Sequence, residues 1–365
     1  MNVVICWSHL SGYMTACWRA LANTDSVDLS VFAWHDDAGK THANFNTDLA
    51  AGIDCRLLDE RERNDVEFLA DAISQRKPDV IVLAGWSHAP YRQLTSHPKL
   101  AGVKFVMAMD TSAKPWLRRT LVRHYLRSYL SRISLVIVSG ERSWQYARLL
   151  GVPESKIRRG MYGFDADLFR SIAEARDAQT DWPKRLLYLG RYVPDKAIDM
   201  LIDAYKQYRA RSSDPWALTC GGIGPLKSMF AGVPGIEDRG FVPPDQHREL
   251  FLSAGCAVMP SRYEPWGVAI AEAAASGLPV ICTAACGACV ELVRPHHNGL
   301  IVPTADAAAL SRAMLRIEKT SAADLRDMGR NGAQLAEAYG APQWATRWRE
   351  FLAGVVESRP VEMHR

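Results

Sequence analysis

The segment Ser261-Arg-Tyr-Glu-Pro-Trp-Gly-Val-Ala-Ile-Ala-Glu-Ala-Ala-Ala-Ser-Gly-Leu-Pro-Val280 contains the features that decide the fold. The residues just before it, Cys256 to Met259, have the composition of a buried strand. The alanine-rich stretch 269–275 favours a helix, and Gly277 suits a left-handed helix end. Leu278 to Cys282 then has the composition of the next buried strand. This order of strand, helix and strand is typical of a parallel sheet.

Two carboxylates bracket the predicted helix. Pro265 suits the first turn of a helix, where a missing N–H costs nothing, so we expect Glu264 just ahead of the free N–H groups. Glu272 is expected one to two turns further on, with its side chain leaning back toward the same end. A helix N-terminus attracts phosphate, and a carboxylate accepts two hydrogen bonds from a diol. The pair therefore suits a sugar nucleotide, whose diphosphate is flanked by hydroxylated rings.

Length and composition limit the classes of protein. The 365 residues suggest two domains, and the formal charge of +4 is too mild to imply a nucleic-acid partner. No run of apolar residues is long enough to span a membrane. The first residues, Met1 to Cys6, have no positively charged segment and no cleavage site, so no signal peptide is expected. The 8 cysteines are scattered, mostly in apolar runs, which favours reduced thiols and a cytoplasmic location.

Short apolar runs alternate with helical patterns along the whole chain, which predicts an α/β fold with parallel sheets covered on both faces. The predicted strands lie near residues 2–7, 28–33, 53–57, 79–84, 103–109, 135–139, 185–190, 216–220, 256–260, 278–282 and 300–302. The predicted helices lie near residues 13–22, 65–76, 117–130, 141–150, 196–210, 245–254, 266–276, 306–318, 322–338 and 342–356.

A polar stretch without clear periodicity, Asp165 to Lys184, is expected to hold the junction between domains. We predict a Rossmann-like, acceptor-binding domain over 1–168 and a Rossmann-like, donor-binding domain over 169–340. A C-terminal helix over 341–365 is able to pack back on the first domain. The two sheets would face each other across a cleft, with ligands at the carboxyl ends of the strands.

A basic loop and a glycine-rich turn precede the carboxylate pair. Arg191 and Lys196 follow the strand that ends at Gly190, and two cations there can neutralise a leaving diphosphate without a metal ion. Gly222 and Gly224 lie in a turn after the next strand, where glycines allow a close backbone approach. Each feature alone is also compatible with surface cations or an ordinary turn. The inference of a diphosphate site therefore rests on their order along the chain, which is the basic loop, then the glycine-rich turn, then the carboxylate pair.

With these motifs the chain resembles the family 4 retaining glycosyltransferases, which have the two-domain GT-B fold. The resemblance covers residues 135–305 well and the N-terminal third by topology alone. It rests on Gly190-Arg191-x4-Lys196, Gly222-x-Gly224-Pro225, Gly240-Phe241-Val242, Glu264-Pro265-x-Gly267-x4-Glu272, Gly277-x-Pro279-Val280 and Asn298-Gly299-Leu300, with Tyr162-Gly163-Phe164-Asp165 from the first half.

The resemblance implies a role for each matched residue. Glu264 would contact hydroxyls of the donor sugar and support charge at the anomeric carbon, and Glu272 would hold the ribose hydroxyls. Arg191 and Lys196 would grip the diphosphate. The outgoing phosphate would guide the acceptor hydroxyl onto the same face, so the anomeric configuration is retained with no protein nucleophile, metal ion or cofactor. The remaining donor-binding positions are Gly222, Gly224, Tyr263, Pro265, Gly12 and the backbone amides of Trp266, Gly267 and Val268.

The first half departs from the family pattern at two places. The family usually has two glycines after the first strand, whereas here Gly12 stands alone. Asp110 occupies the position of a family histidine and either accepts a hydrogen bond from a sugar or acceptor group or caps the following segment. Residues 86–88 follow a strand and either line the acceptor side or pack internally.

The basic stretch Lys114 to Arg132 forms the pattern of an amphipathic helix. Such a helix can rest on an anionic membrane, as in family members that act on lipid-linked acceptors, or it can be a solvated domain face. Peripheral membrane contact is therefore one expectation, and no oligomeric state is predicted.

Three alternatives stay open at this point. A glycoside phosphorylase would use the same scaffold, and a catalytically silent binder would hold a sugar nucleotide without transfer. Cys282-x3-Cys286-x2-Cys289 has the spacing of an iron–sulfur motif of radical-SAM enzymes, although it lies far along the chain. Asp165-Ala-Asp167 matches a short metal-binding signature of other glycosyltransferases, but its place at the junction favours a turn.

Overall fold

The structure is a computed structural model that describes residues 1–35, 47–112 and 119–358. The chain forms two compact units. Unit 1 comprises Met1–Gly163 together with the segment from Ala341 onward, and unit 2 comprises Phe164–Gly340. Each unit contains its own parallel sheet, as the alternation of apolar runs and helical patterns predicts.

Unit 1 is a parallel α/β unit. Its described strands are β1 (Asn2–His9), β2 (Asp28–Trp34), β3 (Asp54–Leu58), β4 (Val80–Ala84), β5 (Lys104–Met109), β6 (Ile133–Val138) and β7 (Ile157–Arg159). Its described helices are α1 (Gly12–Ala22), α2 (Glu60–Asn64), α3 (Val66–Ser74), α4 (Ala89–Leu94), α5 (Arg119–Ser131), α6 (Glu141–Leu149) and, from the end of the chain, α14 (Ala341–Glu357). The strand order is β3-β2-β1-β4-β5-β6-β7. The order reverses at β1 and β4, and such a switch point is a usual place for ligands in parallel sheets.

The sheet of unit 1 is buried on both faces, which explains the continuous apolar runs of its strands. Alternate residues of β1 enter the two apolar layers: Val3 and Ile5 lie in one, Val4 and Cys6 in the other. Helix α14 packs on α1 within the first layer. Its Trp344 and Trp348 are fully buried, and their indole N–H groups donate to the carbonyls of Met161 and Gly160 at 2.8 and 2.9 Å.

Unit 2 repeats this architecture with fewer strands. Its described strands are β8 (Arg185–Leu189), β9 (Ala217–Gly221), β10 (Ile236–Gly240), β11 (Cys256–Met259), β12 (Val280–Thr283) and β13 (Gly299–Val302). Its described helices are α7 (Ala166–Asp177), α8 (Ile198–Arg211), α9 (His247–Leu252), α10 (Val268–Ala275), α11 (Cys289–Leu292), α12 (Ala307–Glu318) and α13 (Ala322–Ala336). The strand order is β10-β9-β8-β11-β12-β13. Since β8 and β11 are neighbours, the loops that follow them emerge together at the carboxyl edge of the sheet.

Two local expectations are corrected. The stretch 165–184, in which no helix is predicted, contains the helix α7, which buries Phe169, Ile172 and Arg176 on one side. Pro265 does not lie in the first turn of a helix. Gly267 adopts a left-handed backbone with φ of 104°, so helix α10 begins only at Val268.

None of the eight cysteines forms a disulfide, and seven of them are buried. Burial raises the pKa of the Cys55 thiol to about 11, with a smaller contribution from Asp54. None of the described helices combines the length and the apolar character needed to cross a membrane.

Candidate functional site

The centre of the candidate site is an ion pair between Lys196 and Glu264. Lys196 ends a short turn, Pro194–Lys196, that follows β8, and Glu264 lies in the loop that follows β11. The lysine and glutamate side chains are 15% and 19% exposed, so both charges are largely removed from water. The structure therefore brings together two of the residues to which the sequence assigns catalysis.

The loop that carries Glu264 is held by backbone hydrogen bonds on two sides. The Asp195 carbonyl accepts from the N–H groups of Arg262 and Tyr263 at 2.8 and 3.2 Å. In the loop after β12, the Gly287 N–H donates to the Glu264 carbonyl at 2.9 Å. The Ala288 N–H donates to the Trp266 carbonyl at 2.8 Å. The backbone at Glu264 is thus fixed between the loops that follow the two strands flanking β11.

Gly287 is a residue that the sequence reasoning missed. A Cβ atom at this position would lie 2.0 Å from the Pro265 carbonyl oxygen, so only glycine allows the two loops to pair. The signal in the sequence is weak, because a glycine after a strand predicts a turn without naming its partner.

Helix α10 begins beside the ion pair. A Cβ at Gly267 would lie 3.1 Å from the Cγ of Glu264, which places the helix start against this side chain. The first N–H groups of a helix lack intrahelical partners and carry the positive end of its dipole. The N–H groups at Gly267 and Val268 are therefore placed next to Glu264, where a helix start is able to attract an anion. The Trp266 ring is buried and lies 5.6 Å from the ring of Tyr339.

Glu272 lies deeper in the same helix. It is 8% exposed, and its carboxylate has no hydrogen bond or ion pair with a residue that the structure describes. Burial raises the pKa of Glu272 to about 7, and the negative charge of Asp165 contributes further in the same direction. Asp165 itself caps helix α7 by accepting from the Leu168 N–H at 3.1 Å. A buried carboxylate with a raised pKa is typical of a site that receives hydrogen bonds from a ligand.

Arg191 lies in the same loop as Lys196, but its side chain is exposed and makes no ion pair with a described residue. Its carbonyl accepts from the hydroxyl of Tyr188 at 2.9 Å. The structure thus places both predicted cations after β8 and pairs only Lys196 within the site.

The glycine-rich turn packs directly on this loop. The Tyr192 N–H donates to the Ile223 carbonyl at 2.8 Å. A Cβ at Gly222 would lie 1.9 Å from the Gly190 oxygen, and one at Gly224 would lie 2.4 Å from the Tyr192 oxygen. Glycine is therefore required at Gly222 and Gly224 because the two loops touch through their backbones.

The remaining predicted site residues belong to unit 1. Gly12 is the first residue of α1, directly after the extended residue Ser11. Asp110 follows β5, and its carboxylate accepts from the Tyr162 hydroxyl at 3.0 Å, while its carbonyl accepts from Ser143 at 2.6 Å. The Tyr162 ring also contacts the ring of Tyr13 edge to face, with centroids 5.7 Å apart. The segment that Asp110 was expected to cap lies outside the described residues.

The loop after β4 carries Trp86, Ser87 and His88. The His88 ring packs between aromatic side chains, 4.4 Å from Tyr91 and 4.8 Å from Trp34. Burial lowers the pKa of His88 to about 4, with smaller contributions from nearby arginines. His88 is therefore neutral at physiological pH, and its surroundings are those of a packed aromatic residue.

The cysteine motif and the acidic motif form no metal site in the described part of the chain. Cys282, Cys286 and Cys289 are buried, and burial raises the pKa of the Cys286 thiol to about 12. Among the described residues, no group of three or more His, Cys, Asp or Glu is placed to hold a metal ion.

The fold has two Rossmann-like units, and the candidate site in unit 2 places a helix start beside the carboxylates of Glu264 and Glu272. Residues 183–319 match the family model described as Glycosyl transferases group 1. This stretch of the chain is similar to that family, which confirms the resemblance drawn from its motifs.

Curated relatives match parts of the chain. An uncharacterized glycosyltransferase of Methanocaldococcus jannaschii is 28% identical over 193 residues, covering 49% of this chain and 48% of the relative. A glycogen synthase of Mycobacterium tuberculosis is 28% identical over 270 residues, covering 68% of this chain and 62% of the relative. The chain thus spans less than two-thirds of the length of these curated relatives.

Solved structures resemble the whole chain. Anabaena HepE in complex with UDP and glucose has a TM-score of 0.72 at 17% identity, covering 96% of this chain and 99% of HepE. Sucrose-phosphate synthase from Thermosynechococcus elongatus has a TM-score of 0.72 at 18% identity, covering 97% of this chain and 100% of the synthase. These similarities confirm the GT-B fold that the sequence predicts.

Proposed function

We propose that the protein is a retaining glycosyltransferase that moves a sugar from a nucleoside-diphosphate sugar to an acceptor hydroxyl. The observation that carries the proposal is the Lys196–Glu264 ion pair at the start of helix α10, with the carboxylate of Glu272 buried in the same helix. A cation, a helix N-terminus and two carboxylates together match the diphosphate and the hydroxyl groups of such a donor. The complexes of HepE with UDP, glucose and UDP-glucose support this class of ligand.

Each side chain has a distinct role in the proposal. Lys196 and Arg191 neutralise the diphosphate, helped by the N–H groups at the start of α10. Glu264 accepts hydrogen bonds from hydroxyls of the donor sugar, and Glu272 accepts from the ribose diol. The ion pair with Lys196 keeps the carboxylate of Glu264 oriented at the edge of the sheet before the donor arrives.

Transfer with retention follows from these roles without a protein nucleophile. The bond from the anomeric carbon to the phosphate oxygen breaks, and the negative charge that develops on the diphosphate is stabilised by Lys196 and Arg191. The acceptor hydroxyl attacks the same face and gives its proton to the departing phosphate oxygen. The proposal needs no metal ion, because side-chain cations and the helix N-terminus supply the positive charge.

The acceptor is assigned to unit 1. Gly12 and Asp110 both follow strands of that sheet, and the Asp110 carboxylate is oriented by the Tyr162 hydroxyl. A carboxylate held in this way can accept a hydrogen bond from an acceptor hydroxyl. The proposal also includes a cytoplasmic location with peripheral membrane contact through the stretch 114–132.

A thermal-shift screen against nucleoside-diphosphate sugars tests the donor class, because a ligand that binds only the folded protein raises its melting temperature. The best donor is then incubated with candidate acceptors, and the anomeric configuration of the product is read by NMR. Product with inverted configuration would contradict retention. Release of a sugar 1-phosphate from a glycoside and free phosphate would identify a phosphorylase. A donor that binds without transfer to any acceptor would favour the silent binder.

A further inference from the structure

The edge strand β10 carries a carboxylate on which several donors converge. The Asp238 side chain is 19% exposed, and its Oδ2 atom lies 3.6 Å from the Nζ of Lys227. Its Oδ1 atom accepts from the Gly240 N–H at 2.9 Å and from the Tyr192 hydroxyl at 2.8 Å. Hydrogen bonds to a charged acceptor are stronger than those between neutral groups. The tyrosine hydroxyl is therefore held firmly on β10.

Tyr192 belongs to the loop that carries the two predicted cations. It directly follows Arg191 and precedes Lys196 by four residues. Its ring is completely buried and packs edge to face on Phe230, with centroids 4.9 Å apart. Burial and, to a smaller extent, the hydrogen bond to Asp238 raise the pKa of Tyr192. The hydroxyl thus keeps its proton at physiological pH and remains the donor.

The backbone of Tyr192 is attached to the same side of the sheet. Its N–H donates to the Ile223 carbonyl at 2.8 Å, and its carbonyl accepts from the Leu226 N–H at 3.1 Å. Both partners lie in the segment that follows β9, which is the strand between β8 and β10. The backbone and the hydroxyl of Tyr192 therefore fix the beginning of the loop after β8 against the next two strands.

The far end of this loop is attached on the opposite side of β8. The Asp195 carbonyl accepts from the N–H groups of Arg262 and Tyr263, in the loop after β11. Ala197, directly after Lys196, has a left-handed backbone with φ of 55°. This conformation is unfavourable for a residue with a Cβ atom, so it persists only where surrounding contacts determine it. Lys196 thus lies in a turn whose geometry depends on anchors at both ends.

We propose that Asp238, acting through Tyr192, is a positioning residue for Lys196. Their hydrogen bond fixes the loop after β8 from the β10 side, so the lysine meets Glu264 without reorganisation when a ligand binds. A charge that is held in place before binding stabilises a developing negative charge better than a mobile one. The inference rests on the proposed function only in naming the diphosphate as the group that Lys196 would bind.

A double-mutant cycle without a donor tests this role. Tyr192→Phe keeps the buried ring and removes only the hydroxyl. Part of its cost in the free energy of unfolding should come from a weakened ion pair between Lys196 and Glu264. The loss in the double variant of Tyr192→Phe and Lys196→Met should therefore be clearly smaller than the sum of the two single losses. A tyrosine that only stabilises the core would give additive losses.

The matched control is Tyr205, another completely buried tyrosine of the same apolar core. Its hydroxyl donates at 2.9 Å to the carbonyls of Trp216 and Gly235, which directly precede β9 and β10. It is therefore bound at the opposite edge of the sheet from the candidate site. Tyr205→Phe should be additive with Lys196→Met. The proposal is overturned if Tyr192→Phe is also additive with it.

Calorimetry with a nucleoside-diphosphate sugar that binds the wild type gives a second readout. Tyr192→Phe and Asp238→Leu should each weaken the affinity about fivefold, and Tyr205→Phe should leave it unchanged. Asp238→Asn keeps an acceptor oxygen for the tyrosine hydroxyl, so its affinity should stay within about twofold of the wild type. In the Lys196→Met background, Tyr192→Phe should weaken the affinity no further.

Two results of the calorimetry would overturn the positioning role. One is a Tyr192→Phe variant that binds the donor as tightly as the wild type. The other is an equal loss of affinity in Asp238→Asn and Asp238→Leu, which would mean that the hydrogen bond is not what matters. A wild type that binds no donor contradicts the proposed function instead, and the cycle without a donor then decides the positioning role by itself.

Discussion

Lys196 and Glu264 are 68 residues apart in sequence, yet their side chains form an ion pair at the carboxyl edge of the second sheet. The pair exists because β8 and β11 are neighbours and the loops after them share backbone hydrogen bonds. Both charges are largely buried, and a buried charge is costly when its partner is absent. This relationship therefore affects the stability of unit 2 as well as the donor binding that we propose.

A double-mutant cycle measures the coupling between these two side chains. Lys196→Met and Glu264→Gln should each lower the free energy of unfolding by about 3 kcal/mol, because each leaves the other group buried without its partner. The double variant should lose clearly less than the sum of the two single changes. Denaturant unfolding at neutral pH gives the three values.

The exposed pair between Arg262 and Asp199 is the matched control. Its side chains are 38% and 47% exposed, although their two hydrogen bonds are 2.6 and 2.7 Å long. Because water screens an exposed pair, single substitutions there should cost about 1 kcal/mol or less. The coupling would be contradicted if the two single losses in the free energy of unfolding at Lys196 and Glu264 simply add in the double variant. It would also be contradicted if substitutions in the exposed pair cost as much as those in the buried pair.

Glu272 should make stability depend on pH in the absence of a ligand. The native state holds the proton of Glu272 up to a pKa of about 7, whereas an unfolded glutamate loses it near 4.5. Between these values the native state binds more protons, so the free energy of unfolding falls as the pH rises. Glutamine has no proton to lose in this pH range, so Glu272→Gln abolishes this fall in the free energy of unfolding. The variant should exceed the wild type by up to about 3 kcal/mol at alkaline pH and match it near pH 4. A difference that stays constant with pH would refute the assignment.

Gly222 should tolerate no side chain. The Cβ of Gly222→Ala would lie 1.9 Å from the Gly190 oxygen, so the loops after β8 and β9 must separate. We expect a loss of about 3 kcal/mol or more in the free energy of unfolding. Gly232→Ala is the control, because Gly232 also has a positive φ of 71° but nothing within 4 Å of an added Cβ. Gly232→Ala should lower the free energy of unfolding by about 1–2 kcal/mol. Equal losses at both positions would mean that backbone conformation, and not loop contact, requires Gly222.

Arg176 is a buried cation that holds the ends of two helices. It is 2% exposed and donates to the carbonyls of Ser276 at 2.9 Å, Ala254 at 2.6 Å and Phe251. Burial lowers the pKa of Arg176 to about 9. Arg176→Met leaves these carbonyls without their donor and should lower the free energy of unfolding by about 3 kcal/mol or more.

The matched control is Arg170, which lies on the same helix and has a side chain that is 58% exposed. Arg170→Met should change the free energy of unfolding by about 0.5 kcal/mol or less, and a similar loss in both variants would contradict this role for Arg176.

The sequence predicted most of the fold because buried parallel strands are nearly continuous apolar runs. The elements that it missed lack this signal. Strand β10 (Ile236–Gly240) is rich in charge and lies at the edge of its sheet, where one side of the strand has no neighbour. Strand β7 has three residues, two of them arginine. Helix α7 buries the charged Arg176 beside Phe169 and Ile172, so its buried face does not give a continuous apolar pattern.

The candidate site could be predicted in part, since Glu264, Glu272 and Lys196 lie in local motifs at strand ends. Contacts between distant loops could not be predicted. The pairing of Gly287 with Glu264 and of Asp195 with Arg262 depends on which strands are neighbours. The start of α10 was misplaced because the left-handed conformation of Gly267 prevailed over the preference of Pro265 for a first turn.

Calorimetric titration with a panel of nucleoside-diphosphate sugars tests the central claim most directly. At least one donor should bind the wild type, and Glu264→Gln and Glu272→Gln should each weaken its affinity about tenfold or more. The control Glu249→Gln, at a position 79% exposed, should leave the affinity unchanged. The claim would be contradicted if no member of the panel binds, or if both site variants bind the donor as tightly as the wild type.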